Sequence, residues 1–201
     1  MKKMTTIIAS GLLMAGTSFA GTSWNSSFVY LWNGTSDIYY DLNGATINED
    51  FTGNLSSGTL GNLSPGYTLF LNAQINAFAD GGDTYSSMSV YYRVNGGSFT
   101  ALTDTGFDDQ GAGNWRGIAT GGDLSGLAAG THTVDVYLSR SHTWTGGGPY
   151  TTYLNTGGDT SGTEPTSNFF SASFTVVPEP GTLALFGIGM AGLAIARRRL
   201  T

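Results

Sequence analysis

The middle of this sequence predicts an all-β fold, a single antiparallel β-sandwich of jelly-roll-like or Ig-like type. An N-terminal signal helix and a C-terminal transmembrane helix are expected to flank it. Three observations carry the prediction. The 201 residues include 31 glycines and leave few stretches that read as long helices. Apolar residues in the middle alternate with polar ones at period two, as strands with one buried face do. Clusters of Gly, Asn and Asp separate these runs, as turns between antiparallel strands do. An up-and-down barrel is the alternative architecture.

Residues 1–20, MKKMTTIIASGLLMAGTSFA, have the order of a secretory signal peptide. Lys2 and Lys3 form the basic start, Ile7 to Gly16 the short apolar run, and Ser18-Phe19-Ala20 the small-x-small cleavage site. The run is too short for a stable bilayer anchor. Cleavage between Ala20 and Gly21, after export by the general secretion machinery, is the expectation. Residues 21–177 then form the sandwich domain. SSFVYLW and DIYYDL are its early strands. TLFLNAQINAFA, 68–79, places Leu69, Leu71, Ala73, Ile75 and Ala77 on one face. SSMSVYYRVNGGSFTAL is a hairpin, with Met88, Val90, Tyr92 and Val94 in phase and Asn95-Gly96-Gly97 turning the chain. GTHTVDVYLSR aligns His132, Val134, Val136 and Leu138. NFFSASFTVV aligns Phe170, Ala172, Phe174 and Val176 as the last strand.

Residues 178–201 change character. Gly181 to Ala196 is uncharged and mostly apolar, and Arg197, Arg198 and Arg199 follow. As a helix this stretch covers about 24 Å, against a hydrocarbon core of about 30 Å. It is marginal as a permanent span, although an ordinary C-terminal anchor is the alternative. The arginines should stay on the cytoplasmic side. Pro178 and Pro180 deny the chain helical structure before Gly181 and leave an extended peptide that a protease can read.

Val177-Pro178-Glu179-Pro180, the apolar helix and Arg197-Arg198-Arg199 together resemble the PEP-CTERM sorting signal of Gram-negative bacteria. The resemblance covers the last 24 or so residues. It implies recognition by an exosortase, a membrane-embedded cysteine protease. That enzyme would remove the helix and pass the protein to the cell surface or the extracellular polysaccharide matrix of a biofilm. The inner-membrane anchor would then be transient. Separately, YYDLNGATINEDFTGNLSSGTLGNL, MSVYYRVNGGSFTAL and NWRGIATGGDLSGLAAGTHTVDVYL resemble a bacterial β-sandwich module of secreted multidomain proteins. That resemblance implies a fold and no activity.

Charge narrows the partners. The whole chain carries −6. Between Gly21 and Val177 the basic residues are Arg93, Arg116 and Arg140, three against thirteen acids, a local balance of −10 with no lysine. No nucleic-acid partner is expected, since phosphates need basic patches. With no cysteine there is no disulfide and no thiolate metal site. Catalysis is not expected either. Only two histidines occur, and no nucleophile elbow, paired-His metal site or phosphate loop accompanies them. His132 reads as a strand residue near the core, and His142 as a solvated loop residue. Asn25, Asn33, Asn54 and Asn62 stand in Asn-x-Ser/Thr sequences, read as chance in a chain rich in these residues.

Two groups remain as candidate sites. Asp80, Asp83, Asp104, Asp108 and Asp109 crowd Gly-rich segments, and calcium takes such oxygen ligands from flexible loops. The same carboxylates also suit turns, where they accept hydrogen bonds from their own backbone. Trp144, Tyr150 and Tyr153 fall in Ser139–Pro165, read as one long polar loop, and Trp115 adds a second ring. Exposed rings beside polar side chains suit sugar faces, whereas packing under the loop is the alternative. The expectation is therefore a non-enzymatic structural or adhesive protein of the cell surface or polysaccharide matrix. The alternative is a carbohydrate-binding module with a calcium-supported site.

Overall fold

The computed structural model describes residues 22–43, 49–51, 53–55, 60, 63–79, 83–143 and 147–198. The signal segment with Ala20 and Gly21, and also Asp80, Trp144 and Arg199, lie outside the described residues.

The expected all-β architecture is present as two largely antiparallel sheets. The first contains β1 (Thr22–Trp24), β2 (Ser27–Trp32), β3 (Asp37–Asn43), β4 (Glu49–Asp50), β6 (Phe70–Ala79), β9 (Thr103–Gly111) and β10 (Asn114–Asp123). Its order is β4-β3-β2-β6-β10-β9. β1 and β2 lie end to end along one edge of β6, β2 beside Phe70 to Gln74 and β1 beside Ala77 to Ala79. The second sheet contains β5 (Gly53–Asn54), β7 (Thr84–Val94), β8 (Thr100–Ala101), β11 (Gly130–Thr143), β12 (Pro149–Asn155), β13 (Gly158–Ser161) and β14 (Phe170–Val176). β11 is its spine. β7 pairs with it from Val134 to Thr143, while β14 and then β12 share its other edge. Two short pairings, β3 with β4 and β14 with β5, are parallel rather than antiparallel.

Period two explains why these residues fold this way. Along β6, Leu71, Ala73, Ile75, Ala77 and Ala79 are buried and their neighbours are partly exposed. Val29 and Leu31, Val90 and Met88, and Phe170 to Val176 do the same from their strands, and all join one hydrophobic cluster. Each such aliphatic or aromatic side chain contributes about 1.5–3 kcal/mol when fully buried. The sheets approach closely where Gly117 of β10 faces Met88 of β7, since a Cβ there would lie 2.9 Å from the Met88 Cβ. At the β9–β10 turn, Gly113 has φ +80° and its backbone presses on β6. A Cβ would meet the Ala79 carbonyl at 2.2 Å, so only glycine fits.

Two expectations are corrected. Ser139–Pro165 is not one loop. β11 continues to Thr143, and β12 and β13 form a hairpin turned at Thr156-Gly157, with the Asn155 Oδ1 accepting from the Gly157 amide at 2.7 Å. His142 is not solvated but buried on β11. Moreover β11 is buried on both faces from Val134 to Arg140. Its outer face is covered by Tyr91, stacked on Tyr137 at 4.8 Å, and by Phe99 and Phe169, which hold the Arg93 guanidinium at 4.6 Å from each ring. Burial first, and then the bonded Glu164 carboxylate, push the Tyr137 hydroxyl pKa up.

β14 ends against Leu63, whose carbonyl accepts from the Val177 amide at 2.8 Å. After Pro178 and Glu179 comes α1 (Pro180–Arg198). The helix forms where expected. Among the described residues, however, no helix is long and apolar enough to cross a membrane.

Candidate functional site

At the C-terminal end, the sheet's backbone pairing stops at Val177 and the helix begins at Pro180. Val177, Pro178 and Glu179 between them are neither strand nor helix, and Pro178 and Glu179 are exposed. Pro180 serves as the first helical residue, where its missing N–H costs nothing. On α1, Leu185, Phe186, Ile188 and Met190 are 57–72% exposed. These large apolar side chains are not covered by any of the described residues. Arg197, at the far end, is exposed.

A second assembly lies where the C-terminal half of β11 meets β1, β7 and β12. Arg140 continues the core-facing phase of Val134, Val136 and Leu138 and is fully buried. Its Nε donates to Thr152 Oγ1 at 2.9 Å and its Nη1 to the Tyr85 hydroxyl at 3.1 Å. Asp159 lies 3.4 Å from Nη2, but it is 42% exposed and water screens that pair. The guanidinium carbon sits 4.3 Å from the centre of the Trp24 ring. Burial lowers the Arg140 pKa, with the Tyr85 hydroxyl, Asp159 and Tyr150 opposing it. Two residues on, the His142 ring packs on Tyr85 at 5.7 Å and on Tyr150 at 4.1 Å. Burial, and then the Arg140 charge, hold its pKa below the ordinary imidazole value.

Trp24 also forms one wall of a cleft of about 630 Å³, and Trp115 forms another. Asn25 and Ser26, at the break between β1 and β2, Asn43 at the end of β3, and Gln110 and Asn114 of the β9–β10 hairpin complete most of the lining. None of these groups is ionisable. Asn76 joins from β6, with its Nδ2 donating to the Ser26 carbonyl. Trp115 is held from behind by Tyr85 at 5.8 Å and Phe107 at 5.9 Å.

Among the described residues, the expected glycan rings Trp115, Tyr150 and Tyr153 do not form one platform. Trp115 lines the cleft. Tyr150 and Tyr153 lie on β12 with only Thr151 and Thr152 between them, so they face opposite sides. Tyr150 packs on His142, and Tyr153 lies 6.1 Å from Tyr137 on the outer face. The carboxylates are similarly dispersed. Asp104 and Asp109 accept from the Gly106 and Gly111 amides at 2.7 Å, as turn residues do. Asp108 pairs with Arg116 at 3.0 Å, and Asp83 is buried at the start of β7. Among the described residues no three His, Asp or Glu side chains come together to hold a metal. His132 keeps its expected place near the core. Its Nδ1 accepts from Asn95 Nδ2 at 3.0 Å, and its Nε2 donates to the Ala128 carbonyl at 2.8 Å. Sequence reading missed Trp24 and the amide cluster, whose only sequence signal is an indole next to Asn-Ser-Ser at a strand break.

A family model described as the PEP-CTERM protein-sorting motif matches residues 176–199. No curated protein and no solved structure matches the chain. The matched segment begins at the last residue of β14 and takes in the two prolines, the exposed helix and the arginines. Such a motif marks export, processing by an exosortase and delivery to the surface or the extracellular space. This chain is thus a carrier of the PEP-CTERM sorting motif, an exosortase-processed protein destined for the outside of the cell.

Proposed function

We propose that this is a non-enzymatic structural or adhesive protein of the cell surface or biofilm polysaccharide matrix, held at the inner membrane by α1 only until an exosortase releases it. The observation that carries the reading is the sorting motif joined to a helix with uncovered apolar side chains. Water is a poor environment for Leu185, Phe186, Ile188 and Met190, and lipid is a good one. Sixteen uncharged residues fall short of a full hydrocarbon core at about 1.5 Å each, which suits a handle that is later removed.

Expression in an exosortase-bearing host tests this. The native chain should appear outside the cell with the helix missing from its mass. A Pro178→Ala/Pro180→Ala variant should stay in the inner membrane at full helix-containing mass. Surface delivery of that variant at native level and mass would overturn the reading.

A second reading, a carbohydrate-binding module, is favoured by one observation, the cleft between Trp24 and Trp115, whose described lining residues are uncharged. Calcium support for such a site, through Asp80, Asp83, Asp104, Asp108 or Asp109, is tested by melting. Equal melting temperatures in calcium and in EDTA would remove calcium from the proposal.

A further inference from the structure

We propose that the Trp24–Trp115 cleft is a subsite for a segment of neutral polysaccharide. The inference rests on the carbohydrate reading and gives that reading a place and a charge class. Four features of the site carry it.

The first is the donor and acceptor set. Asn25 Nδ2 is turned to Asn114 Oδ1 at 3.4 Å, Asn114 Nδ2 to the Gly111 carbonyl at 3.2 Å, and Asn43 Nδ2 to the Asn25 carbonyl at 3.3 Å. These bonds orient the amides before any ligand arrives. They leave the Oδ1 atoms of Asn25 and Asn43 without a partner among the described residues. Gln110 makes no hydrogen bond there with either end of its amide. Oriented acceptors together with a whole free amide suit hydroxyl groups, which donate and accept at once.

The second is spacing. Trp24 and Trp115 both stand opposite Ala77, one on each side of β6. Their backbones are therefore two strand spacings apart, about 9.6 Å. That is close to the length of a disaccharide unit in an extended chain. The third is rigidity. Arg140 backs one indole and Tyr85 with Phe107 the other, so neither ring must be ordered on binding.

The fourth is charge. The described residues that line the cleft are uncharged, and the region from Gly21 to Val177 carries −10. Arg93, Arg116 and Arg140 are each paired with an aspartate. Nothing in that field favours an anionic chain, whereas a neutral one meets no repulsion. The volume, about 630 Å³, lies within the ~300–1,000 Å³ of ligand clefts.

The test uses the full chain in a zwitterionic, sugar-free detergent, titrated with neutral hexasaccharides (cello-, laminari-, xylo- and manno-) and with alginate and polygalacturonate oligomers. Tryptophan fluorescence and calorimetry are the readouts. At least one neutral hexasaccharide should bind saturably. Its affinity should be unchanged between about 0.05 and 0.5 M salt, because no ion pair contributes. Gln110→Ala, whose side chain is exposed, and Trp115→Ala should each weaken it by about tenfold or more. Native melting of Gln110→Ala keeps the result interpretable if Trp115→Ala unfolds. Undiminished binding by Gln110→Ala and by folded Trp115→Ala would overturn the subsite and leave the carbohydrate reading standing. Binding of the acidic oligomers alone would overturn the charge class. No binding of any sugar would overturn both.

Discussion

His132 and His142 sit ten positions apart on β11, both buried, yet the two ends of that strand are built differently. At the His132 end the buried polar side chain is bonded locally. The imidazole is bonded at both nitrogens, and Asn95, in the left-handed conformation at φ 52°, ties the β7–β8 turn to Thr133 through both its amide and its side chain. Phe174 closes that end at 5.5 Å. At the His142 end a buried guanidinium organises rings from β1, β7 and β12, and the assembly borders an open cleft. Two buried histidines on one strand therefore mean different things. The first completes a closed corner, and the second belongs to the scaffold behind a surface that has hydrogen-bonding capacity left over.

The largest effect should come from removing the cation at the open end. Arg140→Ala strands the buried Thr152 hydroxyl and opens a cavity, with an expected loss of about 3–5 kcal/mol in denaturant unfolding. Arg140→Met keeps the volume and should cost no more than about 1.5 kcal/mol, because Asp159 can turn to water. Equal losses for the two would mean that charge, not packing, holds that end. At the closed end, His132→Ala leaves Asn95 Nδ2 and the Ala128 carbonyl unbonded and should cost about 2–3 kcal/mol by the same assay. A cost well below 1 kcal/mol would show that corner to be hydrated rather than closed.

The next effect is on pH. The unfolded chain protonates the His142 imidazole near its ordinary 6.5, while the folded chain keeps it neutral to lower pH. Unfolding therefore takes up a proton, and stability falls as pH drops below about 6.5. His142→Gln should flatten the melting temperature across that window, and an unchanged slope would exonerate His142. The smallest effect is expected from Tyr150→Ala. Tyr150 is 42% exposed, and its loss should cost under about 1 kcal/mol. A larger loss would make the rim ring part of the scaffold.

How much of this was legible follows from which residues speak locally. β6 and the β7–β8 hairpin declare themselves by alternation and by Asn95-Gly96. The first half of β11 does so too. The second half does not, because Arg140 and His142 carry signals of exposure, and the partners that bury them, Trp24, Tyr85 and Thr152, lie on other strands. β9 is almost wholly polar and exposed, an edge strand that period-two reading cannot see. The β12–β13 hairpin was hidden by its Gly-rich approach. The sorting tail was legible because prolines, apolar run and arginines act in sequence order. The cleft was not, because its walls come from four separate places in the chain.

The Val177–Leu63 hydrogen bond also sets a leash length. Only Pro178 and Glu179 lie between that last backbone tie and the first helical residue, a reach of roughly 10 Å at about 3.5 Å per residue. If α1 enters lipid, the folded unit stands almost flush with the bilayer. A bulky water-borne protease would find no room to straddle so short a connector. A cutter approaching from within the bilayer would find it already presented at its own depth.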